Sequence, residues 1–114
     1  MNDKKHLHLI IDSSTLAETT VTLEGNDIHT SETIPSSSHH SQVLLPLIEK
    51  LIKGSSYQLS DITGIYVRTE AGSFTGRRVG VAIGEMLGAL LSVPVNDMPP
   101  GTTIDIPYEE DKWK

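Results

Sequence analysis

The pattern of apolar and polar positions along the first third of the chain predicts three strands. Residues 7–12 (LHLIID) form a compact apolar run that ends in an aspartate, which is typical of a buried strand. Residues 17–24 alternate and are rich in β-branched side chains. Residues 28–34 are more polar and follow the turn Gly25-Asn26-Asp27. Two strands joined by a glycine-containing turn indicate a hairpin.

Helical periodicity begins near residue 40. The apolar positions there fall in two rows that repeat every four residues: Val43, Leu44, Leu47, Ile48, Leu51 and Ile52. This pattern predicts an amphipathic helix over residues 40–53, ended by Gly54 just after its last turn. Pro46 lies inside the helix and lacks a backbone donor, so we expect a kink or an early first turn there.

The second half of the chain predicts a strand, a helix and a further short strand. Residues 62–68 read as a fourth strand, a glycine-rich apolar helix follows, and residues 93–96 read as a fifth strand. The predicted order is β-β-β-α-β-α-β, an α/β lobe with a five-stranded mixed sheet and two main helices. The lobe is expected to span residues 1–97, with an acidic tail over residues 98–114.

Glycines at positions 76, 80, 84 and 88 mark the second helix. A step of four keeps them on one slowly rotating stripe. Each interior glycine costs a helix about 0.5–1 kcal/mol relative to alanine, so the stripe implies that something packs very close to it. We expect the surface that packs against this stripe to belong to another protein. The predicted partner interface comprises Val43, Leu44, Leu47, Ile48, Leu51, Arg77, Gly80, Gly84, Met86, Leu87 and Gly88.

Composition excludes several classes of function. The chain has 114 residues, no cysteine and a net charge of −6. It therefore has no disulfide, thiolate nucleophile or cysteine zinc site. An acidic chain does not bind nucleic acid through a phosphate-neutralising patch, so any contact with RNA is expected to be indirect.

The N-terminal apolar run is too short for a signal peptide. Residues 79–93 are too short for a membrane span. A soluble, cytoplasmic protein is expected.

One candidate anion site combines a strand end with a helix start. Asp12, Ser13 and Thr15 follow the first strand, and Ser73 and Thr75 precede the glycine-rich helix, whose free N–H groups favour anions. The spacing fits neither a P-loop nor a dinucleotide-binding fingerprint. The alternative is an aspartate-initiated turn and an ordinary helix cap.

Metal-dependent and hydrolytic chemistry is disfavoured. His39 and His40 could join Asp12 and Glu70 as metal ligands, but adjacent histidines at a helix start cannot easily point the same way. A two-metal nuclease of the ribonuclease-H type would need a well-placed acid on the first helix, and Glu49 lies near its far end. No Ser/His/Asp arrangement supports a peptidase. We expect no metal and no cofactor.

Three collinear motifs resemble the TsaB (YeaZ) family. They are IDSST at 11–15, HSQVLLPLI at 40–48 and AGSFTGRRVGVAIG at 71–84. The resemblance covers roughly residues 7–97 and implies an actin-like, ribonuclease-H-like lobe. It implies a non-catalytic scaffold that pairs with a TsaD-like catalytic subunit through its two helices, together with a TsaE-like ATPase. This machinery makes threonylcarbamoyladenosine at position 37 of tRNA.

Two departures from the family pattern qualify what the resemblance implies. Ala71 stands where the family has a proline. Family members are about twice as long, and residues 98–114 resemble the family's C-terminal end. We therefore expect an internal loss of the second lobe, and with it of the cleft in which relatives hold nucleotide. When alone, the chain is expected to form a homodimer. The alternative is a self-associating regulatory or nucleotide-binding lobe outside the tRNA pathway.

Overall fold

Four strands and two long helices make up the described part of the chain. The computed structural model describes residues 6–14, 18–35, 40–69 and 74–104. The strands are β1 (Leu7–Asp12), β2 (Glu18–Gly25), β3 (His29–Pro35) and β4 (Gly64–Val67). The helices are α1 (His40–Lys53) and α2 (Phe74–Leu91), with a short 3-10 turn at Leu59–Asp61. Helix α1 continues through Pro46. Neither helix is long and apolar enough to cross a membrane, as judged over the described residues.

The strands form one mixed sheet in the order β3-β2-β1-β4. Strand β1 pairs antiparallel with β2, opposing Leu9 to Leu23, and parallel with β4, opposing Leu9 to Ile65. A parallel neighbour requires a crossover connection, and α1 supplies it between β3 and β4. The predicted α/β lobe with a mixed sheet is thereby confirmed.

Both helices cover the same face of the sheet. Burial alternates along β1, so that Leu7, Leu9 and Ile11 point inward while the residues between them are half-exposed. Helix α1 packs over β2 and β3, and α2 packs over β4 and β1. The core between these layers comprises Leu7, Leu9, Ile11, Val21, Leu23, Leu44, Leu47, Ile48, Leu51, Ile52, Ile62, Ile65, Val67, Val81, Leu87, Val93 and Val95.

The predicted fifth strand is wrong, and a turn stands where it was expected. Among the described residues, the strand-like pairing of the segment after α2 with the sheet is limited to one parallel bridge between Ile65 and Val95. Pro94 has no N–H to offer a ladder. Asn96 and Asp97 both have positive φ, 52° and 67°, and Val95 and Met98 exchange backbone hydrogen bonds across them. Positive φ at both central residues is the type I′ turn, which reverses the chain after one bridge.

The Asn96 side chain makes hydrogen bonds with β4 that the backbone of a fifth strand would otherwise make. Its Oδ1 accepts a hydrogen bond from the Val67 N–H at 2.7 Å, and its Nδ2 donates to the Val67 carbonyl at 3.1 Å. The amide therefore satisfies both backbone groups of Val67, which β1 does not use. This arrangement protects the end of β4 from water without a fifth strand.

Replacing Asn96 with glycine should therefore isolate the contribution of these two bonds. Glycine accepts the positive φ at this position, so the turn survives while the two hydrogen bonds are lost. We expect the free energy of unfolding to fall by about 1–3 kcal/mol, at 0.5–1.5 kcal/mol per bond. Urea denaturation followed by circular dichroism measures it. The control is Asp97→Gly, which removes an exposed hydrogen bond to Tyr66 and should change stability little. Equal losses of unfolding free energy in the two variants would contradict the stabilising role assigned to the two Asn96 hydrogen bonds.

Candidate functional site

The end of β1 and the start of α2 meet, as the candidate anion site required. Ser13 follows β1 directly, and its Oγ donates a hydrogen bond to the Gly76 carbonyl in the first turn of α2 at 2.6 Å. Its side chain is 1% exposed. The hydroxyl is thus committed to holding a strand end against a helix. It does not point to solvent, where a ligand would need it.

The Asp12 carboxylate accepts hydrogen bonds from the turn that it begins. Its Oδ1 accepts hydrogen bonds from the Ser14 N–H at 3.0 Å and from the Ser14 hydroxyl at 2.5 Å. Its Oδ2 lies 3.9 Å from a guanidinium nitrogen of Arg68, at a half-exposed position. This is the aspartate-initiated turn that the sequence left open as an alternative. Thr15 and Ser73 lie outside the described residues, and so does the side chain of Thr75.

Arg77 lies inside the protein, so its assignment to a partner interface is wrong. Its side chain is 1% exposed and is the largest fully buried side chain among the described residues. One guanidinium nitrogen donates to the Thr69 carbonyl at 2.7 Å. A guanidinium has five donors and no neutral form in proteins, so it is buried where acceptors surround it. Arg77 therefore anchors the start of the β4–α2 connection to the first turn of α2.

Ser13→Ala tests whether this region is structural. Removing the hydroxyl loses one buried hydrogen bond between β1 and α2, and we expect the free energy of unfolding to fall by about 1–2 kcal/mol. Chemical denaturation measures it. The comparison variant is Ser60→Ala, at an exposed position of the 3-10 turn, which should stay within experimental error of the parent. A stability unchanged by Ser13→Ala would contradict a structural role.

The glycine stripe faces the protein's own sheet, so its assignment to a partner interface is also wrong. A Cβ placed on Gly80 would lie 2.5 Å from Ser13 Oγ, and one on Gly84 would lie 2.6 Å from Val67 Cγ2. One on Gly88 would overlap Val95 Cγ2. The close approach that the glycines imply is real, but the surface they approach is β4, the end of β1 and the segment after α2.

Most of the predicted apolar interface residues belong to the core. Leu44, Leu47, Ile48, Leu51 and Leu87 are each at most 5% exposed because they fill the space between helices and sheet. The interface assignment is therefore wrong for these five. Among the remaining residues of that set, Val43 is half-buried beside β3, and Met86 is 47% exposed on the outer side of α2.

Two exposed leucines were missing from the predicted set. Leu45 on α1 is 42% exposed and Leu90 on α2 is 70% exposed. Together with Met86 they form what we call the α1/α2 face, on two helices that pack against each other. A groove of about 550 Å³ runs beside Leu45 and is lined by Ile48, Ile52, Leu59 and Leu87. The sequence signal was a large apolar residue outside each helix's buried row.

The opposite face of the sheet carries a small aromatic cluster. The rings of His6 and His8 stack with centroids 4.1 Å apart, and His8 contacts Tyr66 edge-on at 5.0 Å. Burial and the neighbouring His6 lower the pKa of His8. The hydrogen bond to Asp97, with some burial, raises the pKa of Tyr66. No three potential ligands come together as a metal site within the described residues.

Comparisons with known proteins agree with the fold and the motifs. Residues 28–98 match the family model of TsaD, tRNA N6-adenosine threonylcarbamoyltransferase. The solved structure of YeaZ from Pseudomonas aeruginosa is 28% identical with a TM-score of 0.74, over 78% of this chain and 41% of that one. A second structure, described as an uncharacterized protein with similarity to peptidase YEAZ from the same organism, gives the same values. No curated protein matches significantly. The chain thus spans less than half the length of these structures.

Proposed function

This chain belongs to the TsaD family of tRNA N6-adenosine threonylcarbamoyltransferases, and we propose that it serves there as a non-catalytic partner subunit of the YeaZ (TsaB) kind. In this proposal it binds a TsaD-like catalytic subunit, with a TsaE-like ATPase acting on the pair. The pair threonylcarbamoylates adenosine 37 of tRNA. The chain contributes a surface, and its partner contributes the reacting groups.

The observation that carries the proposal is the α1/α2 face. Leu45, Met86 and Leu90 expose large apolar side chains on two helices that pack against each other, and a mainly apolar groove runs beside Leu45. An exposed apolar patch marks an interaction site, and in this proposal these side chains and the groove supply one. Methionine and leucine on a helix pair suit packing against helices of another subunit, since their flexible side chains adapt to a partner's surface. A second copy can use the same face in the isolated chain, which would give a homodimer.

The use of polar side chains at the end of β1 supports a non-catalytic role. Asp12 holds its own turn, Ser13 ties β1 to α2, and Arg77 is buried against a backbone carbonyl. A nucleophile or general base must reach the substrate with an available lone pair. These groups are used to shape the lobe, so the chemistry is proposed to come from the partner.

The distribution of positive charge supports an indirect role towards tRNA. Lys50 lies 3.6 Å from Glu32, Lys53 lies 3.8 Å from Glu49, and Arg68 lies 3.9 Å from Asp12. Arg77 is buried. Binding to a phosphate backbone draws its affinity from cations that are free to neutralise phosphates. Lys50, Lys53 and Arg68 each lie beside a carboxylate that offsets their attraction for a phosphate, and Arg77 is removed from the surface.

A reconstituted tRNA modification assay tests the proposal. The purified chain is added to a TsaD-like catalytic subunit with its accessory proteins, and the formation of threonylcarbamoyladenosine is followed. We expect the chain to raise the rate with the catalytic subunit and to give no product without it. Product formed by the chain alone would overturn the non-catalytic assignment, and an unchanged rate would overturn the partner role.

A further inference from the structure

Strand β3 forms one edge of the sheet that the described strands build. It pairs with β2 along one side, from Glu18 opposite Pro35 to Glu24 opposite His29, and no described strand pairs with its other side. In an antiparallel strand, alternate residues point their N–H and C=O groups away from the existing neighbour. The outer edge of β3 therefore presents a row of backbone donors and acceptors to any chain that approaches it.

A groove runs along this edge. Helix α1 packs over β2 and β3, and between α1 and β3 lies a cavity of about 270 Å³. Its lining includes Ile34 from the strand and Val43, Pro46 and Leu47 from the helix. The ion pair of Glu32 and Lys50 lines it as well. Leu45, Ile48 and Ile52 line the groove on the α2 side of α1, so the β3 groove lies on the other flank of that helix.

A strand edge beside a helix accepts an extended segment better than it accepts a helix. An added strand lies about 4.8 Å from β3, completes the backbone hydrogen bonds and directs every second side chain into the groove. Glu32 and Ile34 both point toward α1, because they oppose the inward-facing Val21 and Thr19 of β2. A side chain opposite Glu32 and another two positions along the added strand would therefore both meet the groove.

The negative charge of the chain and of Glu32 favours a segment that carries a basic residue. The chain has a net charge of −6, and Glu32 is held by an exposed pair with Lys50 at 3.6 Å, which a competing cation can replace at little cost. A second copy is a poor occupant. Glu32 is the central residue of β3, so a symmetric, fully paired β3–β3 contact would place two Glu32 carboxylates directly opposite each other.

We propose that the outer edge of β3 and the groove between β3 and α1 bind an extended segment of another protein by strand addition. The segment carries a lysine or arginine opposite Glu32 and an aliphatic residue opposite Ile34. This site is separate from the α1/α2 face and does not depend on the partner role proposed above.

A palindromic probe peptide tests this without prior choice of strand direction. The probe is a fluorescently labelled, end-blocked Thr-Val-Thr-Lys-Thr-Val-Thr, which places its lysine opposite Glu32 in either orientation. We expect saturable binding by fluorescence anisotropy, and slower hydrogen exchange of those β3 amides that β2 does not bond. No binding, or protection confined to α1 and α2, would overturn the proposal.

Exchanging the charge at position 32 tests whether this residue lies opposite the central residue of the peptide. Glu32→Lys should weaken binding of the lysine peptide at least 10-fold and restore binding to a peptide with glutamate at its centre. Glu49→Lys, an equal charge change on α1 away from this groove, should leave both affinities unchanged. If Glu32→Lys does not fold, Glu32→Gln should still weaken the lysine peptide several-fold. An affinity unaffected by either change would contradict the assigned contact. Concentration-dependent protection of β3 without peptide would assign the edge to a second copy and overturn the proposed occupant.

Discussion

Replacing Gly84 with leucine is expected to abolish cooperative folding of the chain. A single Cβ at this position would already lie 2.6 Å from Val67 Cγ2 and 3.7 Å from Ile65 Cγ2 and Val95 Cγ1. The remaining three carbons of leucine have no space between α2 and β4. Relief requires α2 to move away from the sheet, which exposes Ile65, Val67 and Val95 together.

Smaller changes at the same contact should give graded effects. Gly84→Ala is expected to cost about 1–3 kcal/mol of unfolding free energy through overpacking, and alanine's better helix propensity returns at most about 1 kcal/mol of it. Gly84→Ala should cost less when Val67→Ala is already present, because Val67→Ala removes both γ-methyl groups, including the one that the new Cβ meets. Thermal melting by circular dichroism compares the two single variants with the double variant.

Ala82→Leu is the matched control for the leucine variant. It adds the same side chain to the same helix at an exposed position, so the melting temperature should stay within a few degrees of the parent. A Gly84→Leu protein that melts like the parent but binds its partner less well would contradict this account. That result would indicate that the glycine stripe is part of the partner interface.

The second large effect is expected at the α1/α2 face. The double variant Met86→Glu with Leu90→Glu should lose roughly 100-fold or more in affinity for the TsaD-like subunit, since each glutamate would be desolvated at the centre of an apolar contact. Both side chains are exposed in the isolated chain, so the melting temperature should hardly change. Any homodimer formed through the same face should dissociate as well, which light scattering would detect.

A matched variant places the same charges elsewhere. Ser56→Glu with Ser60→Glu puts two carboxylates at exposed positions near the 3-10 turn and should leave partner affinity at the parent value. Wild-type affinity in the Met86/Leu90 variant would remove the α1/α2 face from the interface. Equal losses in both double variants would point to net charge as the cause.

The apolar and polar pattern was enough to predict most elements of the fold. The compact apolar run at residues 7–12 predicts the buried strand β1, and the two rows spaced by four predict the amphipathic helix α1, although these rows pack on the sheet and not on a partner. The motif resemblance to the TsaB (YeaZ) family is confirmed by the match to YeaZ. These features follow from local patterns that repeat every two or 3.6 residues, so a single sequence is sufficient to read them.

The direction of the glycine stripe could not be predicted in the same way. Glycines every four residues show that a close contact exists, but their own sheet and another protein require the same sequence. The missing fifth strand has a comparable cause: VPVN is strand-like, and the turn depends on positive φ at Asn96 and Asp97. Arg77 looked like a surface cation because its acceptor, the Thr69 carbonyl, is brought to it by the fold.

Calorimetric titration of the unaltered chain into a TsaD-like catalytic subunit tests the central claim most directly. The account predicts saturable binding, with a heat of binding that becomes more negative as temperature rises, because apolar surface on α1 and α2 is removed from water and the heat-capacity change is therefore negative. Absence of binding at micromolar concentrations, with both proteins shown to be folded, would contradict the proposal that this chain is a partner subunit.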